Sequence, residues 1–308
     1  MKKIASEISK LLKGVIKLDY SLCELNWFKV GGSAELFFEP LNIKDLQLFL
    51  KLLPKKIPVT VIGAGSNILI GDGGIEGAVI KLNSDFKKIE IFGNRIKAFA
   101  GAYDSEVCRF ASKNNKSGLE FLIGIPGTIG GGLRMNAGCG GKEFKDVVLF
   151  AEGLWRDGTV FRLSPKEMSM TYRKNNIADD CIFTSATFIS KTGSSNFIKN
   201  KVKKFIQIRV TTQPQGVKTG GSTFTNPKGK KAWELINDAG CKNLKCGNAI
   251  ISDKHCNFII NEGGATADEI ENLANMVSRK VFINSGIKLK WEIKKVGKFY
   301  GKYLNDQE

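Results

Sequence analysis

The sequence predicts an α+β protein of more than one domain, and three observations lead there. Short β-branched runs punctuated by glycine fill the N-terminal half, with only brief helical stretches between them. The C-terminal third instead mixes helical stretches with a few strands. Between the two lies KTGSSN, residues 191–196, a polar, turn-forming place for a boundary.

The elements follow in chain order. The opening MKKIASEISKLLKGVIKL spaces Ile4, Ile8, Leu11 and Leu12 along one helix face, interrupted by charges. AELFFEP reads as a strand stopped by Pro40, and Asn42 caps a helix through Leu53 that closes at Pro54. PVTVIGAGSNILIGDGGIEGAVIKL supplies short strands separated by glycine turns, and further strands lie at KKIEIF and RIKAFA. Asp104 caps a helix to about Asn115. VVLFAEGLWRDGTVFRL is a hairpin turning at Asp157-Gly158. Ser164-Pro165 opens a short helix, and CIFTSATFIS is a strand. Helices then cover about Phe197–Val210 and KAWELINDAG. Another begins at Thr266, which pairs with Glu269 as a capping box ahead of the stripe Ile270, Leu273, Ala274, Val277. GIKLKWEIKKVG is the last strand, with Ile287, Leu289, Trp291 and Ile293 on one face.

Composition narrows the function classes. At 308 residues the chain is long enough for a large core and two or three domains, and 42% hydrophobic with 25% charged residues is ordinary for a soluble protein. No apolar run approaches the ~20 residues that span a bilayer, and the N-terminus lacks the unbroken apolar stretch of a signal peptide. A cytoplasmic protein without a membrane partner is expected. The seven cysteines include no C-x-x-C pair, and Cys241, Cys246 and Cys256 beside the single His255 match no common zinc spacing. Free thiols and no metal are expected. The formal charge of +17 is spread along the chain, with no nucleic-acid motif. No nucleic-acid partner is expected, although the field suits a phosphate-bearing ligand.

Two glycine-rich segments carry the chemistry. VIGAGSN, Val61–Asn67, contains G-x-G after an apolar run but is not a Rossmann site: Ile68 stands at the third glycine position and the chain continues as a strand. Its amides form a turn suited to an anion. GIPGTIGGGLRMNAGCGG, Gly124–Gly141, is eight glycines in eighteen residues, yet carries Ile125, Ile129, Leu133 and Met135, so it packs into a core rather than serving as a linker. Its centre starts a helical turn whose amides suit a phosphate, and the pair of segments favours a diphosphate cofactor. KTGGSTFTNP places Ser222 behind two glycines without a G-x-S-x-G elbow, and TYRKNN places Tyr172 and Arg173 ahead of a strand.

These stretches, together with DKHCNFIIN and the terminal WEI, occur in the order found in the UDP-N-acetylenolpyruvoylglucosamine reductase family, which the chain resembles over nearly all of residues 20–296. The resemblance implies a bacterial cell-wall enzyme with a two-lobed FAD-binding fold of the vanillyl-alcohol-oxidase type and a C-terminal substrate-binding domain. The boundaries expected are 1–84 for the first lobe with its N-terminal helix, 85–195 for the second, and 196–308 for the substrate domain. The short connection before residue 197 is similar to the family's compact subtype, without the added loop that bears a substrate-contacting tyrosine. Trp27, Gly71, Cys139 and Gly140 depart from the family pattern.

The resemblance also assigns residues. Non-covalent FAD is expected on Gly63, Ala64, Gly65, Ser66 and Asn67, and on Ile125, Pro126, Gly127, Thr128, Gly130, Gly131, Asn136 and Ala137. NADPH is the implied co-substrate and UDP-N-acetylglucosamine enolpyruvate the implied substrate. Arg173 and Glu292 are expected to stabilise the charge that builds on the enolpyruvyl group, and Ser222 to give C2 its proton. Tyr172, Arg209, Gln213 and Asn226 are expected to contact substrate, and a monomer is expected. Two alternatives stay open at this point. One is an oxidase of a sugar or alcohol on the same flavin fold. The other is a non-enzymatic nucleotide- or RNA-binding protein with the glycine turns as phosphate nests.

Overall fold

The computed structural model describes residues 1–301. It divides into two compact units. The first comprises residues 1–19, 35–64 and 77–209; the second comprises 20–34, 65–76 and 210 onward.

The chain begins with α1 (Lys2–Ile8), then β1 (Val15–Ser21), β2 (Ser33–Glu39) and α2 (Ile43–Leu52). Asn42 caps α2 as its sequence predicts, accepting from the Asp45 N–H at 3.1 Å. Next come β3 (Val59–Ile62), β4 (Ile68–Ile70) and β5 (Ile75–Lys81). Strands β1, β2, β5 and β3 form a sheet in that order, with β3 and β5 parallel. Beneath it Leu36, Phe38, Leu46, Phe49, Ile80 and Phe86 make one apolar core, with the Phe38 and Phe49 rings stacked at 4.2 Å.

A second core of the same unit begins with β6 (Ile89–Phe92), β7 (Arg95–Phe99) and α3 (Asp104–Lys113). After β8 (Lys116–Ser117) come α4 (Ile129–Met135), β9 (Gly138–Cys139) and β10 (Lys142–Glu143). The hairpin of β11 (Val148–Leu154) and β12 (Val160–Leu163) turns at Asp157-Gly158, where the Asp157 carboxylate accepts from the Thr159 N–H at 2.9 Å. Strand β13 (Ile182–Ile189) completes a five-stranded antiparallel sheet, β12-β11-β13-β7-β6, over Phe121, Ile129, Leu133, Phe144 and Phe188. Arg156, at the hairpin tip, donates to the carbonyls of Leu50, Pro54 and Ile57 at 3.2, 2.9 and 3.1 Å and so caps the end of α2. On β11, burial alone would raise the Glu152 carboxyl, but hydrogen bonds from Lys97, Arg162 and Ser185 bring it down to about 2.

The first unit ends with β14 (Lys191–Thr192) and α5 (Ser195–Thr212), whose last residues enter the second unit. There α6 (Ala232–Asp238), β15 (Lys245–Cys246), β16 (Ala249–Ile251), β17 (Ile259–Asn261) and α7 (Ala267–Ser285) build an α+β core. That core takes in Phe28, Val30 and Leu69. Thr266 and Glu269 form the predicted capping box. Asp72 adds a second cap, accepting from the Ala267 and Asp268 N–H groups at 3.0 and 3.1 Å. The chain closes with β18 (Lys294–Val296), parallel to β4.

Three expectations are corrected. Residues 165–169, after Ser164, form turns rather than a helix. Asp104 does not cap α3: the Tyr103 N–H bonds to the Glu106 carboxylate at 3.1 Å, and Asp104 is fully buried with neither oxygen bonded. In the final stretch only Lys294–Val296 is a regular strand, and residues 287–290 lie outside any ladder, although Leu289 and Ile293 do point inward. Gly71 has a packing reason for departing from the family: an added Cβ would strike the Lys298 carbonyl.

Candidate active site

The long glycine segment folds as a loop into α4, and most of its glycines are there because the protein itself fills the space. A Cβ on Gly124 would lie 2.6 Å from the Cys139 sulfur, on Gly127 2.8 Å from the Asp104 Oδ2, and on Gly130 3.1 Å from the Ala100 Cβ. On Gly132 it would enter the Phe144 ring. Gly131 differs: its Cβ would meet nothing nearer than the Thr128 Oγ1 at 3.7 Å. That hydroxyl is buried and also closes on Gly63, at 2.5 Å from a Cβ built there. Thr128 therefore joins the two glycine segments within the first unit.

Ile125 packs in the core, Pro126 is half-buried, and Ala137 is tied back by its N–H to the Gly132 carbonyl at 2.9 Å. Asn136 is fully buried in a left-handed conformation, φ 42°. Its amide donates to Glu143 Oε2 and the Thr171 carbonyl, both at 2.9 Å, and its Oδ1 accepts from the Lys145 N–H at 3.0 Å. Its side chain is thus committed to holding the loop and the Thr171 corner together.

In the shorter turn the carbonyls are drawn inward. Gly63 O accepts from Lys81 Nζ at 2.9 Å, Gly65 O from the Trp27 N–H at 3.0 Å, and Asn67 O from the Lys294 N–H at 3.0 Å. Among the described residues no protein acceptor takes the N–H of Ala64, Gly65 or Ser66. Successive unpaired amides of this kind suit a phosphate. They fit a diphosphate-bearing cofactor such as FAD.

Tyr172 and Arg173 sit on a tight corner, with Arg173 in the left-handed region at φ 56°. The corner is docked on α4. Asn175 donates to the Leu133 carbonyl at 2.9 Å, and Arg134 donates to the carbonyls of Ile177, Ala178 and Cys181 at 3.1, 3.0 and 2.8 Å. The Arg173 guanidinium lies over the Tyr172 ring at 5.0 Å and donates to the Gly138 carbonyl at 3.3 Å. Burial pushes the Cys139 thiol up, and the positive charges of Arg209 and Arg173 oppose it.

In the second unit the segments that carry Ser222 and Glu292 are joined through their backbones at Thr223. The Glu292 N–H donates to the Thr223 carbonyl at 2.8 Å, and Asn67 Nδ2 donates to the Glu292 carbonyl at 3.1 Å. Asn257 clamps the same segment, with its Oδ1 accepting from the Phe224 N–H at 2.9 Å and its Nδ2 donating to the Phe224 carbonyl at 2.8 Å. Gly221, at φ 82°, has open space where a side chain would be, with the Ser66 carbonyl nearest at 3.7 Å. Asn226 Oδ1 accepts from the Ala232 N–H at 2.9 Å and tethers the start of α6. Gln213 is half-buried beyond α5.

Several residues that shape this site escaped the sequence: Lys81, Asp104, Arg134, Asn175 and Asn257. The run of two asparagines after Tyr172-Arg173 was the available sign for Asn175, since buried asparagines commonly tie loops to backbone. Among the described residues no group of three or more metal-binding side chains occurs, and no helix is long and apolar enough to cross a membrane.

Two family models match the chain: an FAD binding domain over residues 34–164, and the C-terminal domain of UDP-N-acetylenolpyruvoylglucosamine reductase over 213–296. The chain is 48% identical to the UDP-N-acetylenolpyruvoylglucosamine reductase of Rickettsia prowazekii (strain Madrid E), over 95% of this chain and 99% of that one. The protein of the same name in Paramagnetospirillum magneticum is 46% identical over 93% of each chain. A crystal structure of the reductase from Thermus caldophilus aligns with a TM-score of 0.81 and 29% identity, covering 93% of this chain and all (100%) of that one.

Proposed function

We infer that this chain, which belongs to the UDP-N-acetylenolpyruvoylglucosamine reductase family, reduces UDP-N-acetylglucosamine enolpyruvate to UDP-N-acetylmuramate with NADPH, a step of peptidoglycan precursor synthesis. One observation carries the reading. An FAD binding domain and the reductase's own C-terminal domain are matched in a chain that covers its relatives nearly end to end. The fold is α+β, a flavin-binding part of the vanillyl-alcohol-oxidase type followed by the C-terminal domain. We place the lobes at 1–84 and 85–195 and the substrate domain at 196–308. Each part has an apolar core of its own, while Phe28, Val30 and Leu69 share the core of the last part and Val202 and Phe205 of α5 pack against that of the second.

FAD, held non-covalently, supplies hydride transfer from NADPH to C3 of the enolpyruvyl group. The amides of Ala64, Gly65 and Ser66 hold its diphosphate, flanked by Gly63 and Asn67. The loop from Ile125 through Thr128, with Gly130, Gly131, Asn136 and Ala137, forms the wall against which it lies, and Gly131 leaves it room. Arg173 holds the substrate carboxylate, where a guanidinium fork pairs well with two oxygens and counters the charge that builds as C3 is reduced. Ser222 donates the proton to C2: a hydroxyl is a weak acid, but an enolate-like carbon is a strong base. Glu292, fixed through its backbone to Thr223 and Asn67, stabilises the same charge by a hydrogen bond in its protonated form. Tyr172, Arg209, Gln213 and Asn226 contact the rest of the substrate. Asn226 offers its Nδ2, because its Oδ1 is already committed. The reaction is placed in the cytoplasm, with the chain acting as a monomer.

The test is optical. The purified protein should be yellow, release its flavin on heat or acid denaturation, bleach with NADPH, and recolour when the enolpyruvyl substrate is added. A colourless protein that takes up no flavin would overturn the reading. Recolouring by air alone, with no response to the substrate, would make it an oxidase instead.

A further inference from the structure

The turn at Gly63 has a support that its motif does not show. Lys81 lies at the end of β5, half-buried, and its ammonium donates to the Gly63 carbonyl at 2.9 Å. The carboxylate of Glu39 acts on it electrostatically, and Asn83 holds Glu39 through an Nδ2–Oε1 bond of 2.6 Å. Glu39 at the end of β2, Lys81 at the end of β5 and Asn83 just beyond it thus form an electrostatic support for the turn. A carbonyl pulled inward turns the following amides the other way. The N–H groups of Ala64, Gly65 and Ser66 are the ones left without a protein acceptor among the described residues.

We propose that Lys81 is a positioning residue for the diphosphate of FAD: it fixes the Gly63 carbonyl inward, aims the turn's amides at the cofactor's phosphates, and places a positive charge behind them. This rests on the reading of residues 63–67 as part of the FAD site. The chemistry is specific to the phosphates. Nothing in it involves the flavin ring, which riboflavin also carries. A half-buried lysine is the right group for this work, because a charged donor holds a carbonyl more firmly than a neutral one and its field is less screened than at the surface. Burial lowers the Lys81 ammonium from its usual range, the negative charge of Glu39 opposes that, and Lys87 adds to it.

The experiment compares two ligands on the full chain. Flavin-free protein is titrated with FAD and with riboflavin, followed by flavin fluorescence, for wild type and for Lys81→Met, Lys81→Gln and Lys81→Arg. Lys81→Met should weaken FAD by about 10–100-fold, the range of a charged hydrogen bond, and leave riboflavin within about twofold. Lys81→Arg should recover most of the FAD affinity, and Lys81→Gln, which keeps a donor but not the charge, should fall between. An equal loss for both ligands, or no loss for FAD, would overturn the proposal and make Lys81 part of the sheet alone. If Lys81→Met does not fold, the remaining pair decides: Lys81→Arg must bind FAD more tightly than Lys81→Gln, and equality between them sinks the idea. A wild-type protein that binds neither ligand would instead sink the reading of the site.

Discussion

The long glycine segment, residues 124–141, and the Gly220-Gly221 stretch within 218–227 use the same residue for different reasons. In the first, Gly124, Gly127, Gly130 and Gly132 exclude a side chain because Cys139, Asp104, Ala100 and Phe144 already occupy the volume. Gly131 alone of this central group faces open space. In the second, Gly220 backs onto the Phe28 ring, whereas Gly221 adopts φ 82° with room around it immediately before Ser222. A glycine in a motif therefore reports either a positive φ or something that stands where a Cβ would be. Whether that something is the protein or a ligand is decided by three-dimensional packing.

The largest effect expected belongs to the open segment. Ser222→Ala should leave bleaching of the flavin by NADPH almost unchanged and slow recolouring by the enolpyruvyl substrate by about 10²–10⁴-fold, the usual worth of a positioned general acid. Stopped-flow absorbance reads both steps in one instrument. Slowed bleaching with normal recolouring would remove Ser222 from the role of proton donor and assign its loop to NADPH.

The next effects separate open from closed glycines. Gly131→Val should abolish or severely weaken FAD binding while the protein still folds, read by flavin content and circular dichroism. Gly132→Ala should instead lower stability by roughly 1–3 kcal/mol or more, the range for overpacking a core, because its methyl enters the Phe144 ring. If Gly131→Val stayed fully loaded with FAD, the open space would not be the cofactor's. Gly127→Ala is the subtler case, since its methyl would press on the Asp104 Oδ2 at 2.8 Å. Its stability loss should shrink when Asp104→Ala is added. A double-mutant cycle measures that coupling, and simple additivity would show that the two positions do not share the volume.

The smallest effect is a pH signature of the closed segment. Burial raises the Asp104 carboxyl well above its ordinary value. A raised carboxyl keeps its proton in the folded state after the unfolded chain has lost it, so this contribution is full below about pH 4 and declines as pH rises toward the folded value. Stability of wild type relative to Asp104→Asn should therefore fall steadily above pH 4, by chemical denaturation. Glu152 behaves oppositely, since its carboxyl is held down at about 2: its contribution is present above about pH 4.5 and is lost as pH falls toward 2.

Much of this was legible beforehand, for identifiable reasons. Asn42, Thr266 with Glu269, and Asp157-Gly158 announce their elements because capping and turn chemistry act over three or four residues. Asp104 misled for the same reason. Its residue type suits a cap, but the Glu106 side chain took that place and left Asp104 buried against Gly127. The turns after Ser164 and the broken final strand depend on which neighbours supply backbone partners, and these come from far along the chain. The same holds for the supports of the site. Lys81 to Gly63, Asn175 to α4 and Asn257 to the Ser222 segment are contacts across 18 to 42 residues, with no local pattern to mark them.

The clamp at the end of α2 has a consequence for biosynthesis. Its carbonyls at Leu50, Pro54 and Ile57 receive their donor from Arg156, 99 to 106 residues later. At the usual 5–20 residues per second of translation, the ribosome needs about 5–20 s to make that interval. For that time the nascent helix ends without its partner, and the first core holds an edge that only the later hairpin completes. The order of synthesis thus makes this part of the protein a late-closing unit, open to protease until the hairpin arrives.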